Sequence, residues 1–283
     1  MSPRTTSAAA ILALVLEACV AEIKQAAVAD DEMVLDHVEA LGYARESAEI
    51  DGDVVLVGGD LVFDRALLVE GAYERPASTE GELIEKGYRY PGIISVANQG
   101  NVKLTFATGP QAPSKVLHDG FVAAAKAWSS IPGSALRVST TNTGPAIRVH
   151  MIQAANWKKP NTPCPKTDAC ALAPLNGRPG SKVYIRSGSK LGDCVGWNGS
   201  NLASATRHEL GHALGFAHPE EADAEPVRGT AACRYTTEEA CADNLNYTTI
   251  MGPAEVLLGC SVTPARLTKD DYATAKAVYP ETP

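Results

Sequence analysis

Short stretches of alternating apolar and polar residues, separated by longer stretches of helical spacing, predict a mixed α and β chain. In residues 31–41, Val34, Leu35, Val38 and Leu41 fall on one helical face and Gly42 closes the helix. Val54 to Val57 and Leu61 to Phe63 read as short strands around the turn Gly58-Gly59-Asp60. Farther on, Val102, Leu104 and Phe106 alternate with Lys103 and Thr105, and Ile147, Val149 and Met151 alternate with Arg148 and His150. Both patterns predict half-buried strands. Leu136-Arg137-Val138 and Val183-Tyr184-Ile185 add two shorter candidates. Between the strands at 102–106 and 147–151, Ser114 caps a predicted helix with Leu117, Phe121, Ala124, Trp128 and Ile131 along one face, ended by Pro132-Gly133. A last helix is expected from Thr268 to Tyr279, with Tyr272, Ala275 and Tyr279 as its buried stripe and Pro280 as its stop.

One segment carries chemistry beyond this pattern. HELGHALGFAH, residues 208–218, holds three of the six histidines of the chain. A bare HExxH arises by accident in on the order of one chain in a hundred of this length, and the added glycine and third histidine take that below roughly one in ten thousand. Helical spacing lets His208 and His212 point two imidazoles at one ion, with Glu209 at the edge of that face. Gly215 can take the left-handed conformation that ends a helix, so that the chain reverses and returns His218 to the same point. Three neutral imidazoles suit Zn²⁺ and leave its fourth position open, as a catalytic site requires. Beside a zinc-bound water, Glu209 is placed to act as general base and later to pass the proton to a leaving amine.

The string matches HExxHxxGxxH at every defined position and so resembles the signature of the metzincin zinc endopeptidases. That resemblance implies His208, His212 and His218 as zinc ligands and Glu209 as the base. It also implies a methionine turn beneath the metal, which Thr249-Ile250-Met251-Gly252-Pro253 resembles. The layout is similar to that of the bacterial dual-action HEIGH metallopeptidases, with HELGH here. Astacin and serralysin branches carry a zinc-binding tyrosine two residues after the methionine, where this chain has Pro253, so no tyrosine ligand is implied. The implied fold is α+β: a metzincin-like zincin catalytic domain with a twisted mixed sheet, a long helix, a zinc helix and a C-terminal helix. Peptides or proteins are the implied substrates, bound along an edge strand, with 154–181 at the rim of the groove and 253–258 walling its pocket.

Charge divides the 283 residues. Residues 1–90 hold 7 Lys and Arg against 18 Asp and Glu, whereas 91–283 hold 18 against 15. An acidic first third on a mildly basic remainder fits either a separate segment that complements its neighbour or a solvated acidic face. Because metzincins are commonly made as zymogens, the resemblance implies the first of these. The expected organisation is therefore a signal over 1–20, a small acidic prosegment over 21–90 and the catalytic domain over 91–283. Arg4 followed by apolar Ala8 to Leu16 has the form of an export signal. Leu16-Glu17-Ala18-Cys19 also resembles a bacterial lipobox, which would lipidate Cys19. A secreted protein or an outer-surface lipoprotein is expected. The scattered lysines and arginines and the net charge of −8 give no footprint for nucleic acid.

Six of the seven cysteines follow residue 160, which in an exported chain reads as up to three disulfides. Proximity favours Cys164 with Cys170, Cys233 with Cys241 and Cys194 with Cys260, among fifteen pairings. The acidic run over residues 220–225 offers oxygen ligands to Ca²⁺, with a solvated loop as the competing reading. Two functions compete: an exported zinc endopeptidase with its own prosegment, and a surface-anchored binding protein that keeps the fold but does little catalysis. Asp60 also divides two readings. Val57-Gly58-Gly59-Asp60-Leu61-Val62-Phe63 resembles the Gly-Asp stretch of astacin prosegments, whose aspartate fills the fourth zinc position. An ordinary turn would leave Asp60 facing solvent.

Overall fold

The computed structural model describes residues 30–41, 43–73, 93–188, 190–191, 194–195, 199–216, 218, 250–251 and 266–281. Helix α1 covers 30–40. A meander of β1 (Ala48–Asp51), β2 (Val54–Val57) and β3 (Leu61–Asp64) follows, and then α2 (Arg65–Val69), whose first turn Asp64 caps by accepting from Leu67 N. After the short helix α3 (Val96–Gln99) come β4 (Val102–Phe106), the long helix α4 (Lys115–Ser129), β5 (Val138–Ser139) and β6 (Ala146–Ile152). Strands β7 (Ala169–Leu172), β8 (Lys182–Arg186), β9 (Lys190–Leu191) and β10 (Cys194–Val195) precede α5 (Gly199–Ala213), and α6 (Lys269–Val278) is the last helix. Ser114 caps α4 as expected, accepting from Leu117 N.

Eight strands form one sheet in the order β1-β2-β3-β7-β8-β6-β4-β5. Strands β8, β6, β4 and β5 run parallel, while β7 is antiparallel to β8. The N-terminal meander joins through β3, which runs parallel to β7 with Leu61 opposite Ala171 and Val62 opposite Leu172. Strand β7 is thus an inner strand, and the N-terminal residues continue the sheet that carries the rest of the chain.

Alternation places successive residues of each strand on opposite faces. On one face Val102, Leu104, Ile147, Val149, Val183 and Ile185 form one core with buried residues of α4, α5 and α6, and Val55, Val57, Leu61 and Phe63 continue it. Phe63 meets Tyr43 and Tyr73 edge to face, with ring centroids 5.8 and 5.0 Å apart. The other face carries a smaller cluster of Leu56, Val62, Ile152, Trp157, Cys164 and Cys170. Its lid is the loop closed by the Cys164–Cys170 disulfide. The other two expected disulfides each include a residue outside the described ones, as do the expected signal with Cys19, the stop at Gly42, the acidic run and Pro253.

Electrostatics contributes less to this union than the charge asymmetry suggests. Arg45 bridges Glu32, Asp36 and Glu39, and Arg65 bridges Asp30 and Asp31, so much of the acidic charge is answered within the segment itself. Across to the remainder, Lys159 meets Asp51 at 2.8 Å and Lys166 meets Glu49. Such exposed pairs contribute little, because water screens them, whereas burying a side chain the size of Phe63 contributes about 1.5–3 kcal/mol. Apolar packing therefore holds the meander in place.

Two expectations need correction. Leu136 precedes β5 rather than lying in it. Met151 packs against the same core as Ile147 and Val149, and Ile152 lies on the opposite face with Trp157. Tyr272 is exposed; α6 turns Asp271, Ala275, Val278 and Tyr279 inward instead, the carboxylate of Asp271 having a partner there. Among the described residues no helix is long and apolar enough to cross a membrane. If the meander and the remainder form one cooperative core, Phe63→Ala should destabilise the full chain by about 3–5 kcal/mol in urea unfolding. A change of about 0.5 kcal/mol or less, as at exposed sites, would show that the meander does not share the core.

Candidate metal centre

Helix α5 lies against α4, and the contact is close because Gly120 has no side chain: a Cβ there would stand 3.1 Å from Thr206 Cγ2. Trp128 of α4 donates its indole N–H to Arg207 O at 3.0 Å and stacks on Phe216 with centroids 4.6 Å apart. These contacts fix the helix turn that bears His208, Glu209 and His212, all buried. Gly215 then reverses the chain at φ +95°, as the sequence predicts. Phe216 N donates to Gly211 O and Gly215 N to His212 O, the paired bonds of a Schellman ending. His218 returns to the histidine pair two residues later.

The three Nε2 atoms converge at 3.0 Å for His208 and His212, 3.1 Å for His212 and His218, and 3.0 Å for His208 and His218. Asp60 completes the group from the turn between β2 and β3. Its Oδ2 stands 3.1 Å from His208 Nε2, and its Oδ1 stands 3.2 and 3.3 Å from the Nε2 atoms of His212 and His218. Gly58 and Gly59, at φ +60° and +89°, make the turn that brings this side chain in, while Asp60 O accepts from Ala171 N on β7 at 2.9 Å. Asp60 is 3% exposed, so the solvent-facing turn is excluded.

Hydrogen bonding on the far side of the rings shows what this group of atoms can hold. His208 Nδ1 lies 2.8 Å from Ile250 O, and His212 Nδ1 lies 2.8 Å from Phe216 O. A carbonyl can only accept, which assigns the ring proton to Nδ1 and leaves Nε2 with a lone pair. Burial lowers His208 to about 4, against the pull of Asp60, so a second proton on that ring is disfavoured at neutral pH. Burial opposes the ionisation of Asp60, but the imidazoles of His218 and His212 outweigh it and hold the carboxyl well below its ordinary value. The Nε2 lone pairs of His208 and His212 and a carboxylate that is stabilised by positive charge thus face one another in a buried space, an arrangement that suits a cation. Tetrahedral Zn²⁺ with ligands at about 2.0–2.1 Å separates its donors by about 3.3 Å, close to the distances observed. The four residues fit a metal ion.

Glu209 is buried beside this group, and its Oε2 has no hydrogen-bond partner among the described residues. Burial, reinforced by the Asp60 charge, raises its carboxyl well above the ordinary range, with His218 opposing. Met251 lies below the site: a Cβ on Gly211 would come within 2.3 Å of its Sδ and 3.2 Å of Trp128 Cζ2. The glycine between Glu209 and His212 therefore makes room for the methionine.

No protein-family model matches the sequence, and no curated protein does. Among solved structures, the chain is similar to myroilysin, at 15% identity and a TM-score of 0.35 over 65% of this chain and 95% of that one. It is also similar to high choriolytic enzyme 1, a hatching enzyme zinc-protease from Oryzias latipes (medaka fish), at 15% identity and a TM-score of 0.34 over 66% and 94%. Likeness at this level assigns no activity.

The packing of Gly211 against Met251 leads to a direct expectation. Gly211→Ala should push the thioether away, destabilise the chain by about 1–3 kcal/mol as overpacking does, and leave less zinc bound after dialysis. Unchanged stability with full zinc content would mean that Met251 does not press on the helix there.

Proposed function

We propose that the chain is an exported zinc-dependent endopeptidase made as a latent precursor, with residues 21–90 as prosegment and 91–283 as the catalytic part. The observation that carries this reading is the convergence of three imidazole nitrogens, two of them on rings whose Nδ1–H is committed to a backbone carbonyl, beside the buried carboxyl group of Glu209. His208, His212 and His218 would hold the ion. Bound there, Zn²⁺ supplies a Lewis acid for a peptide carbonyl and makes water acidic enough to be deprotonated. Glu209 takes the proton at its carboxylate and delivers it to the departing amine. Nδ1–H bonds to Ile250 O and Phe216 O keep His208 and His212 in the tautomer that presents Nε2.

Asp60 supports latency in the same geometry. Its carboxylate takes the place where a fourth ligand would sit, and β3 takes the edge of β7 along which an extended substrate would pair. Removing residues before 91 would clear both. A buried Glu209, next in sequence to His208 in a group that fits a metal ion, argues against the competing reading of a binding protein with little catalysis. Export and lipidation at Cys19 rest on the sequence alone, calcium binding on an acidic run outside the described residues, and the dual-action HEIGH likeness on the motif layout.

Processed protein should degrade unfolded protein substrates, and a chelator should abolish that activity. Glu209→Gln should keep zinc bound and lower turnover by about 10²–10⁴-fold, the range for a general base; near-normal turnover in a zinc-loaded variant would reject Glu209 as the base. Asp60→Ala in the chain from residue 21 should raise cleavage of a short fluorogenic peptide above that of the unprocessed parent. Equal activity in the two precursors would remove Asp60 as the latency ligand.

A further inference from the structure

Asp271, on the inner face of α6, is buried and ionisable, and the proposed reaction does not use it. It stands at the third position of its helix and forms a capping box with Thr268: Asp271 N donates to Thr268 Oγ1 at 3.3 Å, and Thr268 N donates to Asp271 Oδ2 at 2.6 Å. A capping box needs no more than this. Yet the same carboxylate also accepts from Ile250 N, with both oxygens at 3.1 Å. Ile250 is in turn the residue whose carbonyl accepts from His208 Nδ1 at 2.8 Å. One residue is thus held by its N–H to the C-terminal helix and by its carbonyl to a candidate metal ligand. Met251, which packs at Gly211, is the next residue.

We propose that Asp271 is a positioning residue for the metal centre, which holds the Ile250-Met251 backbone at the height where Ile250 O orients the His208 imidazole. The inference rests on the reading of His208, His212 and His218 as zinc ligands. The physical case is that residues 250 and 251 lie in a turn rather than in a helix or strand, and among the described residues Ile250 N is held by the Asp271 carboxylate. A charged acceptor in a buried setting provides the restraint, since hydrogen bonds to ionised groups are about twice as strong as neutral ones. Partners of this kind behind a metal-ligating histidine set ring orientation and tautomer, and losing them typically lowers metal affinity about 10–100-fold. Asp271 acts through Ile250 and touches neither metal nor substrate.

Asp271→Glu separates this role from helix capping. Glutamate is favoured in a capping box, so α6 keeps its start, but the added methylene moves the carboxylate relative to Ile250 N. In the full chain, zinc affinity is measured by competition with a chromophoric chelator, and site geometry by the visible absorption of the Co²⁺-substituted protein. Asp271→Glu is expected to keep a thermal midpoint close to that of the parent, weaken zinc binding by about 10-fold or more, and shift the Co²⁺ bands. Asp271→Asn should weaken zinc further. Val278→Ala, a buried change on the same helix away from this contact, should lower the midpoint and leave zinc affinity and the Co²⁺ bands unchanged. Parent-like zinc affinity in Asp271→Glu, or losses of affinity that merely follow lost stability across the three variants, would overturn the proposal. If the parent itself binds no zinc, the reading of the histidines as ligands fails instead.

Discussion

Three imidazole nitrogens meeting at 3.0–3.1 Å, two of them on rings whose protons are committed elsewhere, constitute the constraint on which the rest of the structure depends. Brought together in a buried space, such lone pairs repel one another, and a cation among them would offset that cost. The scaffold shows how much of the chain serves that point. Helix α4 presses α5 into place through Gly120 and Trp128, Gly215 reverses the chain to return His218, and the C-terminal helix anchors Ile250 from behind.

Around this centre, apolar packing and electrostatics have separate tasks. Phe63, Val55 and Leu61 join the N-terminal strands to the common core, while the ion pairs of that region lie at the surface and mainly link neighbours within it. The charge that matters is the buried carboxylate of Asp60. Because it reaches the histidines from a sheet continuous with the rest of the fold, it cannot withdraw alone: moving it means breaking the β3–β7 pairing and uncovering Val62 from beneath Trp157.

Much of the site was legible in the sequence because its residues are local. His208, Glu209, His212, Gly215 and His218 fall within eleven positions, and helical geometry with one glycine reversal arranges them without reference to the rest of the chain. The strands from Val102 to Ile185 were legible for a similar reason, each declaring its face by alternation. Strand β7 was not, since Ala169, Cys170 and Ala171 are buried on both faces and show no period. Asp60 stayed divided between two readings because its partners lie about 150 positions away in sequence, and nothing local says which way a turn residue points. Gly211 falls at a position that the motif leaves undefined, and its partner Met251 lies 40 positions away, so nothing local marks it. Asp271 did leave a signal, the Thr268-Asp271 spacing of a capping box, but that pattern accounts for a helix start and conceals the second acceptor role.

Strand β7 now sits between β8 and β3, with Ala171 N bound to Asp60 O and Ala173 N bound to Val62 O. Taking away the meander would turn this inner strand into a rim whose amides have lost their acceptors, flanked by side chains that were selected for a dry interior. Bare rims of that kind pair with whatever extended chain is nearest, including the rim of another copy. Residues 48–64 therefore cover an edge of β7 that would otherwise be open to pairing, including with the same edge of a second copy.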